Sequence, residues 1–422
     1  MIFFKKYYTN EYIVNYFWNF VQVFTKQGFL FYLFFISAKF LNKFDFGLLN
    51  YWMSILTFIL IFCDFGISAS VKKYTSELNV SKNNNDIKEI LFPIFIYFII
   101  ISILVSISLL LLKSFLIIEI SDYIFYLIPV LFFLPLTSIL DGFFKGLKKF
   151  RFLGILYLVV SSISSIISFI LIKTYFLKGV LISYNIFYLF FSVLLFIFVI
   201  NKISISYNYT LLFQMIKYGF IIGLSLMSLL FFIKIDIIIL GQYKYFKEIA
   251  NYEIINKILQ FILIPFGIFT TILSPNITKY YTLKKYLKIK NLLRNHVLFV
   301  LFIGILYSLI LYFILPLIIK IFLNKYYNTQ ILEILNLFLL IIPFLAVRIL
   351  VLGGYIIATG NAIYFFFGNT IFGIINILLD IILIRYFGFE GILISTVICL
   401  VLGIIFSSLL FLFILNKKIN KK

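Results

Sequence analysis

Apolar residues run along this chain in blocks of about twenty, separated by short polar stretches. A helix needs about 20 mostly apolar residues to cross the hydrocarbon of a bilayer. By that measure the pattern predicts twelve spanning helices, at about 15–38, 48–70, 90–112, 123–144, 152–173, 176–200, 211–240, 249–274, 296–323, 331–352, 361–385 and 391–415. Pro93, Pro129, Pro135, Pro265, Pro316 and Pro343 fall inside these blocks. Membrane helices tolerate proline where neighbours re-satisfy the freed backbone groups. Met1–Phe20 has no short apolar core followed by a small-residue cleavage site, so the first block is expected to stay as an anchor. No connection exceeds about 25 residues, which leaves no room for a separate catalytic domain.

Polar positions inside the blocks carry the functional signal, because such groups are costly in lipid and face a bundle interior or a water-filled cavity. The first block has Asn15, Asn19, Gln22 and Lys26 at helical spacing, and the second has Asn50, Ser54, Thr57, Asp64 and Ser68. The seventh carries Gln214, Lys217, Ser225 and Ser228, then Lys234 and Asp236. The eighth carries Glu253, Asn256, Lys257 and Gln260 on one face, and the eleventh Asn369, Asn376 and Asp380. The third, ninth and twelfth blocks are nearly bare, so the first two helices of each half are expected to line an aqueous cleft. Glu253 and Lys257 stand at i, i+4 in the favourable order, which fits mutual neutralisation as well as a site. Asp64 could cap a helix or pair with Lys72 or Lys73, and Lys234 and Asp236 could snorkel to the interface. Lys26 and Arg348 lie deep in their blocks, with Asp380 a candidate partner for Arg348. His296 reads as interfacial.

Composition supports the membrane assignment: 64% of residues are hydrophobic and 12% charged, against about 25% charged in soluble domains. The net charge of +21 would suit a nucleic-acid binder only if gathered on one face. Here it sits in clusters between apolar blocks, and the excess of Phe, Tyr and Lys also fits an A/T-rich genome. On alternate sides the connections and termini hold 22 and 10 basic residues, and four more (Lys26, Lys234, Lys257, Arg348) lie within spans. The positive-inside rule then places both termini in the cytoplasm.

Two segments repeat at an offset of 212. Ile170–Lys173 matches Ile382–Arg385, and Gly179–Ser183 matches Gly391–Ser395. Asn50-Tyr51 is echoed by Asn251-Tyr252. Repeats six helices apart share one orientation, an arrangement typical of transporters with a substrate site between halves. The expected division is 1–205 and 206–422, six spans each. No phosphate-binding loop of the Walker type is present. Asp64-Phe65-Gly66 resembles a kinase triplet without the rest of a kinase. One histidine and two cysteines in apolar runs, Cys63 and Cys399, offer no zinc set or Cys–His nucleophile.

A family resemblance rests on motifs spread along nearly the whole chain. They are Gln27-Gly28, Ala38–Leu41 and Phe46-Gly47; Asp64–Ser68 with Lys72–Glu77; Asp141–Gly146 with Lys149–Phe152; Lys234–Gly241 with Asn251-Tyr252; and Ala358–Asn361 with Arg385–Gly388 and Gly391. The run resembles the Wzx-type polysaccharide-biosynthesis flippases of the multidrug/oligosaccharidyl-lipid/polysaccharide (MOP) exporter superfamily. Asn42 stands where that family usually has Gly, and Lys39 where Arg is common.

The resemblance implies an all-α integral membrane protein of two six-helix bundles forming a V, with helices 1, 2, 7 and 8 around a central cavity. It implies transport of undecaprenyl-pyrophosphate-linked oligosaccharide to the outer leaflet of the bacterial inner membrane, by alternating access and without an enzymatic step. Lys26, Lys257 and Arg348 would offer positive charge to the pyrophosphate, with Lys234 a further cavity candidate, while the amides of Asn19, Gln22, Asn256 and Gln260 would hydrogen-bond sugar hydroxyls. Asp64, Asp236, Glu253 and Asp380 are the candidates for a coupling H+ or Na+, with no other cofactor expected. Partners would be membrane lipids, a polysaccharide polymerase and a chain-length regulator, and no nucleic acid. Two other readings stay open: a drug/cation antiporter of the same superfamily and a membrane glycan polymerase.

Overall fold

The computed structural model describes residues 10–80, 84–111, 123–200, 208–359 and 362–420. Lys5, Lys6, Lys82, Lys113, Lys202, Lys421, Lys422, Gly360, Asn361 and the expected boundary at 205/206 lie outside the described residues. Within them every regular element is helical. In chain order these are α1 (Asn10–Phe40), α2 (Lys43–Asp64), α3 (Ile67–Val80), α4 (Asn84–Leu111), α5 (Ile124–Gly146), α6 (Phe150–Val199) and α7 (Tyr209–Ile233). Then come α8 (Ile235–Gln242), α9 (Phe246–Ile262), α10 (Ile264–Thr282), α11 (Tyr286–Phe322), α12 (Thr329–Ile349), α13 (Ala362–Phe387) and α14 (Phe389–Ile419). A π-helical segment, Leu350–Ile357, continues α12.

Among the described residues ten helices are long and apolar enough to cross a membrane. The twelve blocks map onto helices with instructive differences. Blocks five and six form the single run α6, bent at Phe176 (φ 49, ψ −121). Block seven is broken at Lys234 into α7 and α8. Block eight is broken at Leu263 into α9 and α10, and Pro265 opens α10, where its missing N–H costs nothing. Block two ends at Asp64 rather than Ser70, because Phe65 (φ 36) and Gly66 (φ 76) turn the chain left-handed. An apolar pattern continues through each of these breaks, so hydrophobicity alone could not reveal them.

Polar side chains fix the helix ends. Asn42 caps α2, accepting from the Asp45 amide at 2.7 Å while donating to the Asp45 carboxylate at 2.8 Å. That gives the Asn at this position a structural reason, since a side-chain acceptor satisfies an otherwise orphan N–H. Asp64 does the same for α3, accepting from the Ser68 amide at 3.0 Å and the Ser68 hydroxyl at 2.8 Å.

The chain divides into two compact units, Met1–Phe46 with Ile55–Met227, and Gly47–Ser54 with Ser228–Lys422. In the first, α1 packs along α6: Phe29 stacks on Phe187 with centroids 4.2 Å apart. α3 lies across α5, where a Cβ on Gly142 would meet Ser68 O at 2.5 Å and one on Gly146 would meet Thr75 Cβ at 2.6 Å. In the second unit the core gathers α10, α11, α12, the π-helical segment and α14 around Phe266, Val347, Tyr355 and Phe411. The outer side of α11 exposes Leu298, Phe302, Leu309 and Phe313; such a surface suits lipid, not water.

The repeat is visible as geometry. Phe176 and Gly388 share a rare backbone conformation, at φ 49, ψ −121 and φ 57, ψ −137. Three residues later Gly179 lies against Leu171 O, where a Cβ would sit at 2.0 Å, and Gly391 lies against Leu383 O at 2.4 Å. The same tight helix-to-helix turn is therefore built twice, once in each unit.

Candidate functional site

In the first unit the polar face of α1 meets α5 and α6. Gln22 is buried and donates from Nε2 to Asp141 Oδ1 at 2.6 Å; the Lys145 ammonium lies 2.8 Å from Asp141 Oδ2. One turn along α1, the Lys26 ammonium stands 5.9 Å from the Tyr157 ring centroid, within cation–π range. Gln22 and Tyr157 are buried next to one another on the inner side of this group. Asn19 is half-buried on the same helix. Asp64 is occupied as the cap of α3 and stands apart from this group by role.

In the second unit the carboxylates form a buried network. Asp236, at the start of α8, accepts from the Tyr252 hydroxyl at 2.7 Å, from Thr396 Oγ1 at 2.8 Å and from Asn376 Nδ2 at 2.6 Å. The same Asn376 amide reaches Asp380 Oδ2 at 3.2 Å, and Asp380 Oδ1 accepts from the Ser395 hydroxyl. Asp236 and Asp380 are 1% and 0% exposed. Neither has an ion-pair partner among the described residues. Asn376 Oδ1 is buried without a partner. Four helices, α8, α9, α13 and α14, supply this cluster.

Beside it lies a cavity of about 370 Å³ whose wall includes Asp236, Tyr252, Asn256, Gln260, Arg348 and Thr396. The structure thus brings Arg348 of the tenth block together with Asn256 and Gln260 of the eighth, all singled out by the sequence pattern. Arg348 donates to Asn369 Oδ1 at 2.9 Å, and Asp380, weighed as its partner, bonds to Asn376 and Ser395. Glu253, weighed as the partner of Lys257, takes the Lys234 ammonium at 3.1 Å and the Asn256 amide at 3.3 Å. Lys234 therefore reaches inward to α9 from the break between α7 and α8 instead of snorkelling. His296 Nδ1 is 2.7 Å from the Tyr355 hydroxyl on the π-helical segment.

Several participants escaped the sequence reading as site residues. Asp141 and Lys145 stand at i, i+4 inside the Asp141–Gly146 motif, which carries the family resemblance but no site role. Ser395 was marked by the repeat, but its neighbour Thr396, one of the two hydroxyls on Asp236, was not. Tyr157 is one of 30 tyrosines with nothing in the pattern to distinguish it, and Tyr252 stands out only through the Asn251-Tyr252 echo of the repeat, which gives it no site role.

Ten long apolar helices among the described residues, with buried polar clusters between them, define a multi-pass membrane protein. Comparison with known proteins narrows this. A sequence profile described as "Polysaccharide biosynthesis protein" matches residues 13–281. The chain belongs to that family, within the MOP superfamily. Solved structures share the fold. An inward-facing multidrug resistance MATE family transporter of the MOP superfamily aligns with TM-score 0.77 at 12% identity, over 95% of this chain and 96% of that one. The lipid II flippase MurJ, in an inward closed conformation, aligns with TM-score 0.68 at 19% identity, over 94% and 86%. A MOP superfamily transporter from Pyrococcus furiosus aligns with TM-score 0.64 at 13% identity, over 96% and 95%. No curated protein matches the chain in sequence.

Proposed function

We propose that this transporter moves an undecaprenyl-pyrophosphate-linked oligosaccharide from the cytoplasmic to the outer leaflet of the bacterial inner membrane, by ion-coupled alternating access. The observation that carries the reading is the cavity of the second unit, where a guanidinium, two amides and a buried carboxylate network share one wall. A planar guanidinium suits a phosphate oxygen pair. Amide side chains of the Asn256 and Gln260 kind donate to and accept from sugar hydroxyls. Carrying such a head across about 30 Å of hydrocarbon requires a site that replaces its water, while the lipid tail stays in the bilayer.

Asp236 and Asp380 supply the coupling step in this account. Two carboxylates joined through one amide and removed from water do not both stay charged without a compensating cation. A proton or Na+ on the pair removes the conflict. Asp236 also faces the cavity that presents Arg348. Cation occupancy therefore changes the charge felt by an anionic head nearby, which is the differential interaction that coupling needs. Both termini lie in the cytoplasm in this proposal, and a polysaccharide polymerase and chain-length regulator would act with it.

The test uses cells lacking their own flippase for this substrate. The wild-type chain is expected to restore surface polysaccharide, and Arg348→Ala and Lys26→Ala are expected to reduce it to background at unchanged protein level. Normal glycan in both variants would remove the cationic site from the account.

A further inference from the structure

The first unit holds a second, larger cavity of about 890 Å³, bounded by α3, the end of α5 and Tyr218 of α7. Small-ligand sites span about 300–1,000 Å³. Its chemistry follows from the register of α3. Ala69, Lys72, Lys73, Ser76 and Glu77 fall at i, i+3, i+4, i+7 and i+8, one face of a helix, and all five line the cavity. The opposite face buries Ser70, Val71 and Thr75. Gly142 and Gly146 on α5, spaced so that both face α3, allow a close crossing of the small-xxx-small kind. That crossing brings Lys145 and Lys148, at the end of α5, to the same cavity as Lys72 and Lys73.

Four lysines face one carboxylate there, and two of the four are held in place. Lys145 is tied to Asp141 at 2.8 Å. Lys73 lies 4.2 Å from the Tyr218 ring and 4.9 Å from the Tyr74 ring, with Glu77 at 3.8 Å. Lys72 and Lys148 add exposed ammonium groups. Lys148 takes the left-handed position (φ 58) that closes the helix, with Lys149 N bonded to Phe144 O and Lys148 N to Lys145 O. Glycine is the usual residue there. A concave surface whose wall charges are mostly of one sign concentrates its field and its counter-ion. The cavity sits where α5 ends and α6 begins, with Phe150 in its wall. Both are spanning helices, so their junction lies at the depth of lipid headgroups.

We propose that this cavity binds a phosphate-bearing lipid headgroup, with Lys72 and Lys148 as contacting cations and Lys73 and Lys145 set in position by Tyr218 and Asp141. The phosphate can belong to a diphosphate-linked polyprenyl lipid or to an anionic membrane lipid. The site is separate from the Arg348 cavity, and its failure would leave the transport reading intact.

The experiment titrates the purified full-length protein in phosphatidylcholine nanodiscs with a short-chain polyprenyl diphosphate, phosphatidylglycerol and inorganic pyrophosphate. Saturable binding of at least one lipid probe is expected, weakened by added salt and at least ten-fold weaker in Lys72→Gln/Lys148→Gln. Affinity is expected to stay unchanged in a control, Lys285→Gln/Lys288→Gln, on the second unit. Tighter binding of the diphosphate assigns the site to polyprenyl lipid, and tighter phosphatidylglycerol binding assigns it to membrane lipid. Lys148→Gly removes one charge while relieving the left-handed backbone, so it keeps the test valid if the double variant misfolds; a loss of affinity is expected there too. No saturable binding by the wild type, pyrophosphate alone binding, or equal affinity in the lysine variants would overturn the proposal.

Discussion

At Asp380 a carboxylate with no exposed surface is met by the Ser395 hydroxyl and the Asn376 amide. Burying a charge on such terms is expensive unless something neutralises it. Asp380→Asn keeps the size and removes the charge. It is expected to leave the protein folded and inserted while abolishing the dependence of transport rate on Na+ concentration or pH. A variant with the wild-type ion dependence would take Asp380 out of the coupling step. Asp64 stands differently, because its two bonds go to Ser68 at the start of α3. Losing a helix cap costs about 1 kcal/mol. Asp64→Ala is therefore expected to lower the thermal midpoint modestly, with Asp64→Asn near wild type and ion dependence unchanged in both. Loss of ion coupling in Asp64→Asn would restore it as a coupling residue.

Among the elements, the paired turns at Phe176 and Gly388 are the most informative. One backbone conformation is occupied by phenylalanine in the first unit and glycine in the second. Non-glycine residues in such regions cost about 1–3 kcal/mol. Phe176→Gly is expected to raise thermal stability, measured by scanning fluorimetry of the detergent-solubilised protein. Gly391→Ala is expected to lower it, since its Cβ would stand 2.4 Å from the Leu383 carbonyl oxygen and backbone cannot step aside cheaply. Equal midpoints for both variants and the wild type would contradict this account of the repeat. The repeat was legible because Gly179 and Ser183 recur as Gly391 and Ser395 amid Ile and Leu. The breaks at Phe65, Lys234 and Leu263 were not, because apolar residues continue across them and only backbone angles change. The Lys234–Glu253 pair was hidden for another reason: the two residues lie nineteen apart on different helices, and no helical spacing joins them. Within one helix, as for Gln22 and Lys26 or Asn376 and Asp380, spacing placed the side chains correctly.

For the molecule as a whole, the excess of basic residues finds two uses. Among the described residues, Lys148, Lys244 and Lys284 each take a left-handed position after a helix. If the basic side is cytoplasmic, Lys284→Cys is expected to be protected from a membrane-impermeant thiol reagent in intact cells, and Lys244→Cys labelled. The reverse pattern would invert the topology; Cys63 and Cys399 are buried and give little background. In the proposed function Arg348, which shares a cavity wall with Asp236, and Lys26 are the in-span cations that meet the cargo. The most direct test of that claim reconstitutes the purified protein in proteoliposomes with a labelled undecaprenyl-diphosphate oligosaccharide on one leaflet, with and without an imposed Na+ or H+ gradient. The account predicts protein-dependent translocation that the gradient accelerates, lost in Arg348→Ala and no longer gradient-dependent in Asp380→Asn. No translocation of the lipid, together with gradient-driven movement of a cationic dye by the same vesicles, would contradict it.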